Sequence, residues 1–237
     1  MKVAIMQPYF MPYLGYMSLI KHTDQFILFD VVQFIRHGWI ERNRILKQNE
    51  GWLYMQVPLI KNGRDILIKD CLIDNSKNWK SKILSQLDIY KKKAPYYYKT
   101  VNIVNDIFSH EYSDVVTLNK TALEKISEYL GFYKPLQVFS EMNLSIDEPN
   151  AADEWALNIC KKLEGGVSNY INPIGGLDFF DRKKYEKEGI TIEFQKMKLS
   201  SYNQKRESFE NGLSILDVMM FNSPEEINVM LDQFELV

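Results

Sequence analysis

The chain has 237 residues, of which 46% are hydrophobic and 25% are charged, and its formal net charge is −2. This composition is typical of a globular protein, and a chain of this length buries a substantial core. The near-neutral charge excludes a general electrostatic attraction to nucleic acid or to anionic lipid.

The two cysteines and the N-terminal segment bear on the cellular environment. Cys71 and Cys160 lie far apart in apolar settings, so we expect buried free thiols rather than a disulfide. Pro8 and Pro12 interrupt the N-terminal segment before the apolar region of a signal peptide could form. Because no apolar run approaches the length of a membrane span, we expect a cytoplasmic protein that does not enter a membrane.

A strand–helix–strand unit is predicted at the start of the chain. Residues 2–7 and 25–30 are apolar and strand-like, and residues 15–22 form a short helix between them. Near-continuous apolar strands are typical of the middle of a parallel sheet. Since ligands of open α/β sheets bind at the carboxyl ends of the strands, the loops after these two strands are expected to carry a binding site.

The next stretch is predicted to be a polar loop followed by a hairpin. Residues 31–47 are rich in cationic side chains and are expected to form the loop. Residues 52–59 and 66–73 are strand-like, with the pair Asn62-Gly63 between them. This pair favours a tight hairpin turn, because both central positions of such a turn need positive φ.

The rest of the chain first becomes helical and then returns to alternation. Helices are predicted over residues 76–92, 98–110, 114–130, 151–163, 181–187, 211–221 and 224–234, and strands over 136–139, 168–171 and 190–196. The run Ser223-Pro224-Glu225-Glu226 marks the start of the last helix. The pattern predicts an α/β fold with a Rossmann-like, mainly parallel sheet. We expect one domain over residues 1–237, with 76–135 as a largely helical insertion or subdomain.

The first candidate binding segment spans residues 7–16. Backbone N–H groups at a helix start can hold an anion, and a glycine there allows close approach. The candidate binding residues are Gln7, Tyr9, Tyr13, Gly15 and Tyr16. A proline-rich loop that only packs is the alternative. The layout resembles the nucleotidyltransferase type of Rossmann-like fold, although residues 13–16 keep the spacing of its His-x-Gly-His helix start without either histidine.

The second candidate segment follows the second strand. Asp30 ends a buried strand, where a carboxylate needs either a partner or a function. Arg42 and Arg44 can hold a diphosphate or a carboxylate in a bidentate manner. A structural Asp–Arg pair is the alternative for these groups. The candidates here are Asp30 and, as a minor one, His37 for catalysis, and Gln33, Arg42, Asn43 and Arg44 for binding.

Two later segments complete the set of candidates. Gly175 and Gly176 follow a predicted strand, and either a ligand loop or a plain turn fits them. Tyr202 and Gln204 follow the strand over 190–196 and are expected at a sheet edge, whereas Asp217 is expected to pair inside the core. The three histidines and two cysteines have no metal-ligand spacing, so we expect no metal site.

The order of these motifs along the chain resembles the WbqC-like protein family. The matching blocks are Gln7-Pro-x-x-x-Pro-Tyr-x-Gly15, Asp30-x-Val-Gln-Phe34, Gly38-Trp39, Arg42-Asn43-Arg44, Val57-Pro58, Trp79, Ala94-Pro95-Tyr96, Asn119, Gly175-Gly176, Tyr202-x-Gln204 and Leu213-Ser-x-x-Asp217. Two blocks depart from the family pattern. Asp30-Val31 stands where many relatives have two aspartates, and Tyr202-Asn203-Gln204 stands where Tyr-Pro-Gln is typical.

The resemblance implies a role in bacterial O-antigen or capsule biosynthesis. It implies a transferase that attaches a small acyl or aminoacyl group, with glycine as one candidate, to the amine of a dTDP-linked 4-amino-4,6-dideoxy sugar. In that reaction Asp30 would receive or orient the amine proton, and Arg42 and Arg44 would bind the diphosphate. Gln7 and Gln33 would position the donor or the sugar, while Tyr13, Tyr16 and Tyr202 would flank base or sugar rings. No tightly bound cofactor is expected, and ATP or an activated donor would be a co-substrate.

Two other functions fit the sequence. A non-catalytic nucleotide-sugar binding or scaffold protein of the same pathway fits the lack of a nucleophile. A tRNA-dependent aminoacyl transferase would use the lysines of residues 76–99, which a solvated helix face also explains. Nucleic acid is otherwise not expected as a partner, and a homodimer remains open.

Overall fold

The computed structural model describes residues 1–61, 63 and 65–237, and these contain eight strands and eight α-helices. The strands are β1 (Lys2–Met6), β2 (Gln25–Leu28), β3 (Arg42–Leu46), β4 (Trp52–Gln56), β5 (Gln137–Val138), β6 (Asn169–Pro173), β7 (Thr191–Met197) and β8 (Phe234–Leu236). The helices are α1 (Leu14–His22), α2 (Trp79–Leu87), α3 (Tyr97–Ser109), α4 (Val115–Tyr129), α5 (Glu154–Lys162), α6 (Arg182–Lys187), α7 (Ile215–Phe221) and α8 (Pro224–Leu231).

Six of the strands form one sheet in the order β5-β2-β1-β6-β7-β8. The five from β5 to β7 are parallel, and β8 lies antiparallel to β7 at the edge. The chain first builds outward from β1 to β2 and β5, and it then builds outward on the other side of β1 from β6 to β8. The strand order therefore reverses between β1 and β6, and open α/β sheets bind ligands at such a switch point.

Helices cover both faces of this sheet, which explains why its central strands are apolar throughout. One core contains Ala4 of β1 together with residues of α1, α4 and α7. The other core contains Val3 and Ile5 of β1 together with residues of α5 and α6. The sheet is thus the middle layer of an α/β/α arrangement, and the prediction of a Rossmann-like, mainly parallel α/β fold is confirmed.

Helices α2, α3 and α4 form the helical segment in the middle of the chain. Trp79, Ile83 and Leu87 of α2 and Tyr90 just after it are all buried. They belong to the same core as residues of α1 and α7. The segment therefore enlarges the core on one face of the sheet, and its status as an insertion within one domain stays a prediction.

The region between β2 and α2 differs from the prediction. The loop predicted over 31–47 was wrong in its last part, because β3 pairs there with β4 in an antiparallel hairpin. Asn43 and Ile45 of β3 are buried, and the arginines at alternate positions masked this alternation in the sequence. The turn closes at Gly51, which has a φ of +72° that favours glycine.

The hairpin predicted between residues 52–59 and 66–73 was also wrong. The partner of β4 is β3, and the two predicted segments share a single antiparallel bridge, between Leu59 and Ile73. Residues Ile68–Asp70 form a short 3₁₀ turn instead of a strand. Asn62, at the predicted turn, lies outside the described residues.

The C-terminal segment confirms one prediction and corrects another. Ser223 and Glu226 form the capping box that starts α8, with Pro224 in its first turn. The helix ends at Leu231 rather than at Phe234, and the last residues form β8 against β7. A three-residue strand that completes a sheet edge carries too short a pattern to be read from the sequence.

Three general expectations can be compared with the structure. Cys71 and Cys160 are both buried and free, as predicted. Among the described helices, none has the length and apolar character that a bilayer crossing requires. Within residues 1–61, 63 and 65–237, no three histidine, cysteine, aspartate or glutamate side chains come together as metal ligands.

Candidate functional site

A large cleft lies at the carboxyl ends of β1, β2 and β6, at the switch point of the sheet. Its volume is about 530 Å³, which is within the range of small-molecule sites. Its walls combine aromatic rings with three amide side chains, from Gln7, Gln33 and Asn172. The described residues that line it carry no charged side chain. The cleft therefore suits a ring-bearing, polar but locally uncharged part of a ligand.

Asn172 is held in position by its neighbours on β6 and in the loop that follows. The Tyr170 hydroxyl donates to Asn172 Oδ1 at 3.1 Å, and Asn172 Nδ2 donates to the Pro173 carbonyl at 3.0 Å. A Cβ atom on Gly176 would lie 2.1 Å from Asn172 Nδ2. Gly176 is therefore required for the Asn172 side chain to occupy this place, whereas a Cβ on Gly175 would meet open space.

The loop from Gln7 to Tyr13, which forms one wall of the cleft, is held by hydrogen bonds to its backbone carbonyls. Met11 in this loop has a φ of 43°, a conformation that L residues rarely adopt. Donors from α1, from β3, from α4 and from the start of α7 hold the loop there: Tyr16 Oη to Gln7 O (2.8 Å), Asn43 Nδ2 to Phe10 O (3.0 Å), Asn119 Nδ2 to Pro8 O (2.7 Å), Ser214 Oγ to Met11 O (2.6 Å) and Ile215 N to Pro12 O (2.7 Å). The loop is thus a pre-organised surface that presents Gln7 and Tyr9 to the cleft.

Two predicted binding residues hold this loop rather than line the large cleft. Tyr16 is buried, its hydroxyl bonds to the Gln7 carbonyl, and burial raises its pKa well above the usual value. Asn43 is also buried, and its Oδ1 accepts a hydrogen bond from Arg44 N at 2.8 Å. Tyr9 packs on Tyr16 with ring centroids 5.4 Å apart, so the position of Tyr9 depends on Tyr16.

A second pocket of about 260 Å³ adjoins the cleft, because Tyr9 lines both. Tyr13 and Arg44 also line this second pocket. The Arg44 guanidinium lies 5.3 Å from the ring of Trp39 and 5.2 Å from that of Trp52. Its Nη2 donates to the Gly212 carbonyl at 2.9 Å, and its buried Nε has no partner among the described residues.

Gly15 supports the second pocket by allowing the Tyr13 ring to lie over the start of α1. A Cβ atom at Gly15 would be 2.5 Å from the Tyr13 ring. The predicted close approach at this glycine is therefore made by a side chain of the same loop.

Arg42 does not line the cleft or the second pocket but holds the turn at His37. Its guanidinium lies 4.0 Å from the centre of the Tyr54 ring, and its Nη2 donates to the His37 carbonyl.

Asp30 is buried at 1% exposure and does not line the cleft. Its Oδ1 accepts from Ser140 N at 3.1 Å, and its Oδ2 accepts from Ser140 Oγ at 2.5 Å. These bonds tie the end of β2 to the segment after β5. The catalytic role of Asp30 stays a prediction, and Ser140 is the group that any such role would have to involve.

Tyr202 and Gln204 meet at Asp217 of α7 and not at the cleft. The Tyr90 hydroxyl donates to Asp217 Oδ1 at 2.6 Å, and the Tyr202 hydroxyl and Gln204 Nε2 donate to Oδ2. Asp217 is fully buried, and burial raises its pKa despite these three donors. The network joins α7 to the loop that carries Gly212, and the expectation that Asp217 pairs inside the core is confirmed.

His37 lines a third pocket, of about 180 Å³, which also contains a residue that the sequence did not single out. Glu41 is only 4% exposed, and its Oε1 accepts a hydrogen bond from His37 N at 2.9 Å. Burial raises the pKa of Glu41. A glutamate in a polar loop is expected to be solvated. The signal that could have singled Glu41 out is the alternation of buried residues that it begins just before β3 and that Asn43 and Ile45 continue.

Comparison with known proteins supports the resemblance that the motifs indicate. The chain is 27% identical over 224 residues to the uncharacterized protein Rv1507c of Mycobacterium tuberculosis, and the match covers 93% of each chain. No solved structure matches it. The family model of the WbqC-like protein family matches residues 7–229, which include both smaller pockets and all of the cleft lining except Ile5 and Met6. The chain therefore belongs to the WbqC-like protein family.

Proposed function

We propose that the protein transfers a small acyl or aminoacyl group to the amine of a dTDP-linked 4-amino-4,6-dideoxy sugar. The observation that carries the proposal is the pair of adjoining cavities that share Tyr9. One is large, aromatic and uncharged, and the other contains Arg44. A dTDP-linked sugar also has these two kinds of part, namely ring groups (the thymine base and the hexose) and the charged diphosphate that lies between them.

The large cleft fits the ring parts of such a ligand. Aromatic faces pack against sugar and base rings, and the amides of Gln7 and Asn172 can both donate to and accept from an imide edge or sugar hydroxyls. The diphosphate needs a cation, which this cleft lacks among its described residues. Arg44 supplies that cation in the second pocket, where Trp39 and Trp52 restrict its guanidinium.

Amide formation also needs a neutral amine, a positioned carbonyl and a stabilised oxyanion. The sugar amine attacks the donor carbonyl, and the C–N bond forms as the bond to the donor's leaving group (AMP, CoA or tRNA) breaks. We assign the acceptance of the amine proton to Asp30 acting through Ser140, whose hydroxyl lies 2.5 Å from it. In this proposal Arg42 acts indirectly, by holding the turn at His37 that leads to β3.

The direct test is product formation by the purified protein. The dTDP-linked amino sugar would be incubated with glycine and ATP, with acyl-CoA or with charged tRNA, and the products would be analysed by mass spectrometry. The expected result is an N-acylated or N-aminoacylated nucleotide sugar with one donor. Phe179→Ala, which removes a 54% exposed ring from the cleft wall, should raise KM for the nucleotide sugar. Tyr98→Ala, at a 67% exposed position away from the cleft, is the matched control.

A pair of variants tests the assignment of Asp30. Asp30→Asn should lower turnover far more than it lowers nucleotide-sugar binding. Ser140→Ala should do the same if the hydroxyl relays the proton, whereas a purely structural bond would lower the melting temperature of both variants and leave turnover near that of the wild type. Unchanged turnover in Asp30→Asn would remove the assignment.

A second candidate function is a non-catalytic nucleotide-sugar binding protein of the same pathway. It is favoured by the cleft itself, whose described residues include no cysteine, serine, lysine or histidine. Calorimetry with the nucleotide sugar separates the two functions. Binding without product under any of the donors would support the binding protein, and any product would reject it.

A further inference from the structure

The third pocket has a carboxylate in its wall that the fold leaves incompletely paired. Glu41 lines the pocket, and its Oε2 is buried with no hydrogen-bond partner among the described residues. A buried charge is costly unless it is paired, and perturbed acids of this kind concentrate at functional sites. Burial raises the pKa of Glu41, although the His37 N–H and the nearby Arg42 oppose that rise. The missing partner is therefore best supplied by a ligand that donates N–H.

The same pocket carries basic side chains at its mouth. Arg36, His37 and Lys61 line it and are exposed, and together they form what we call the basic rim. Apolar groups, including those of Phe34 and Ile66, form much of the remaining wall. The pocket thus offers one buried acid and several outer bases, which is the charge pattern complementary to a small zwitterion.

The volume of the pocket limits what could bind. At about 180 Å³ it is smaller than the roughly 300–1,000 Å³ that is usual for sites of drug-sized ligands. This is room for a molecule of five or six non-hydrogen atoms, such as glycine or alanine, and not for a nucleotide.

The third pocket and the large cleft lie on opposite sides of one short segment. Gln33 and Ile35 line the cleft, whereas Phe34 and Arg36 line the third pocket. The segment is extended and is held by Phe34 N donating to Ile66 O at 2.9 Å and by Ile68 N donating to Val32 O at 3.0 Å. Ligands in the two cavities would therefore be separated by this one segment of chain.

We propose that the third pocket binds a small α-amino acid, with its ammonium group on Glu41 and its carboxylate towards the basic rim. Binding in this pocket does not depend on the proposed transferase function. Its further role, as the place where an aminoacyl donor is selected, rests on that function.

The test is binding of glycine and L-alanine to the full chain, measured by calorimetry and saturation-transfer NMR without nucleotide sugar or ATP. The wild type should bind both, and it should bind acetate and methylamine at least about tenfold more weakly, because each lacks one charge. Glu41→Gln should weaken glycine binding by at least about tenfold, since it removes a charged partner of the ammonium. Glu111→Gln, at an exposed position outside the pocket, should bind as the wild type does.

Further variants guard against misfolding. Glu41→Asp keeps the charge but moves it away from the pocket, and Lys61→Ala changes only the basic rim. Both should weaken glycine binding, and they provide the test if Glu41→Gln does not fold. Equal binding of glycine and acetate would overturn the proposal in favour of a simple anion site. Glycine binding of wild-type strength in a folded Glu41→Gln, or no saturable binding of either amino acid at millimolar concentrations, would overturn it outright. Glycine binding that depends on Glu41, without any product from the nucleotide sugar, would keep this inference and remove the transferase.

Discussion

At the scale of single residues, two buried carboxylates are accommodated in different ways. Asp217 accepts hydrogen bonds from Tyr90, Tyr202 and Gln204, so its charge is distributed over three donors. Glu41 accepts one from His37, and its second oxygen has none among the described residues. Burial raises the pKa of both groups. Glu41 is therefore the place where the fold tolerates an unfavourable charge, as binding sites often do.

The pKa shift of Glu41 predicts how stability depends on pH. Because the folded pKa is raised, the native state holds a proton that the unfolded chain releases at lower pH. The contribution of Glu41 to the free energy of unfolding is therefore greatest below the ordinary pKa of about 4.3. It is lost as the pH rises through the raised pKa of the folded state. Glu41→Gln should therefore exceed the wild type in free energy of unfolding at about pH 8, and the difference should shrink towards zero near about pH 4.

Urea denaturation across this pH range measures the difference. Glu111→Gln, with an exposed side chain, should show no comparable gain at high pH. A Glu41→Gln variant that is less stable than the wild type at every pH would mean that the carboxylate is better paired than its surroundings indicate.

At the scale of elements, the start of α1 is shaped by the contact between Gly15 and Tyr13. The ring occupies the space where a side chain at position 15 would begin, which fixes the Tyr13 side of the second pocket. The anion-binding property expected of this helix start is therefore limited by the ring that covers it. The glycine is a packing requirement of the loop rather than a helix signal.

This contact predicts a change of sign in a double-mutant cycle. Gly15→Ala should lower the free energy of unfolding of the wild type, because the Tyr13 ring must be displaced. In a Tyr13→Ala background the same substitution should raise it by about 0.5 kcal/mol, since alanine is the better helix former. Denaturant unfolding of the four proteins gives the cycle, and the same sign in both backgrounds would contradict the packing explanation.

At the scale of the whole molecule, α2, α3 and α4 share their core with the helices that cover one face of the sheet. This continuity predicts a single cooperative unfolding transition. Trp79 on α2 and Trp155 on α5 report on opposite sides of the sheet. Two variants, one with Trp79 and one with Trp155 as its single tryptophan, should show the same denaturation midpoint by fluorescence. An earlier transition at Trp79 would instead make residues 76–135 a separate subdomain.

The sequence was sufficient for the elements that carry a clear period or cap, such as α4, the start of α8 and the central strands. It failed where the pattern was short or mixed, at β3 and β8. Of the predicted binding residues, Gln7, Tyr9 and Gln33 line the cleft together, and their roles in binding stay predictions. The sequence did not distinguish them from Asn43 and Tyr16, whose side chains donate to the carbonyls of Phe10 and Gln7, because the direction of a polar side chain depends on tertiary contacts.

The anchoring of the Gln7–Tyr13 loop has a consequence for how the protein matures during translation. Ser214 bonds to Met11 across a sequence separation of 203 residues, and Asn119 bonds to Pro8 across one of 111. Chains emerge from the ribosome N-terminal end first, so the loop is made early but receives its anchors late. The loop therefore receives its full set of anchors, and the cleft its final wall, only after nearly the entire polypeptide has been synthesised.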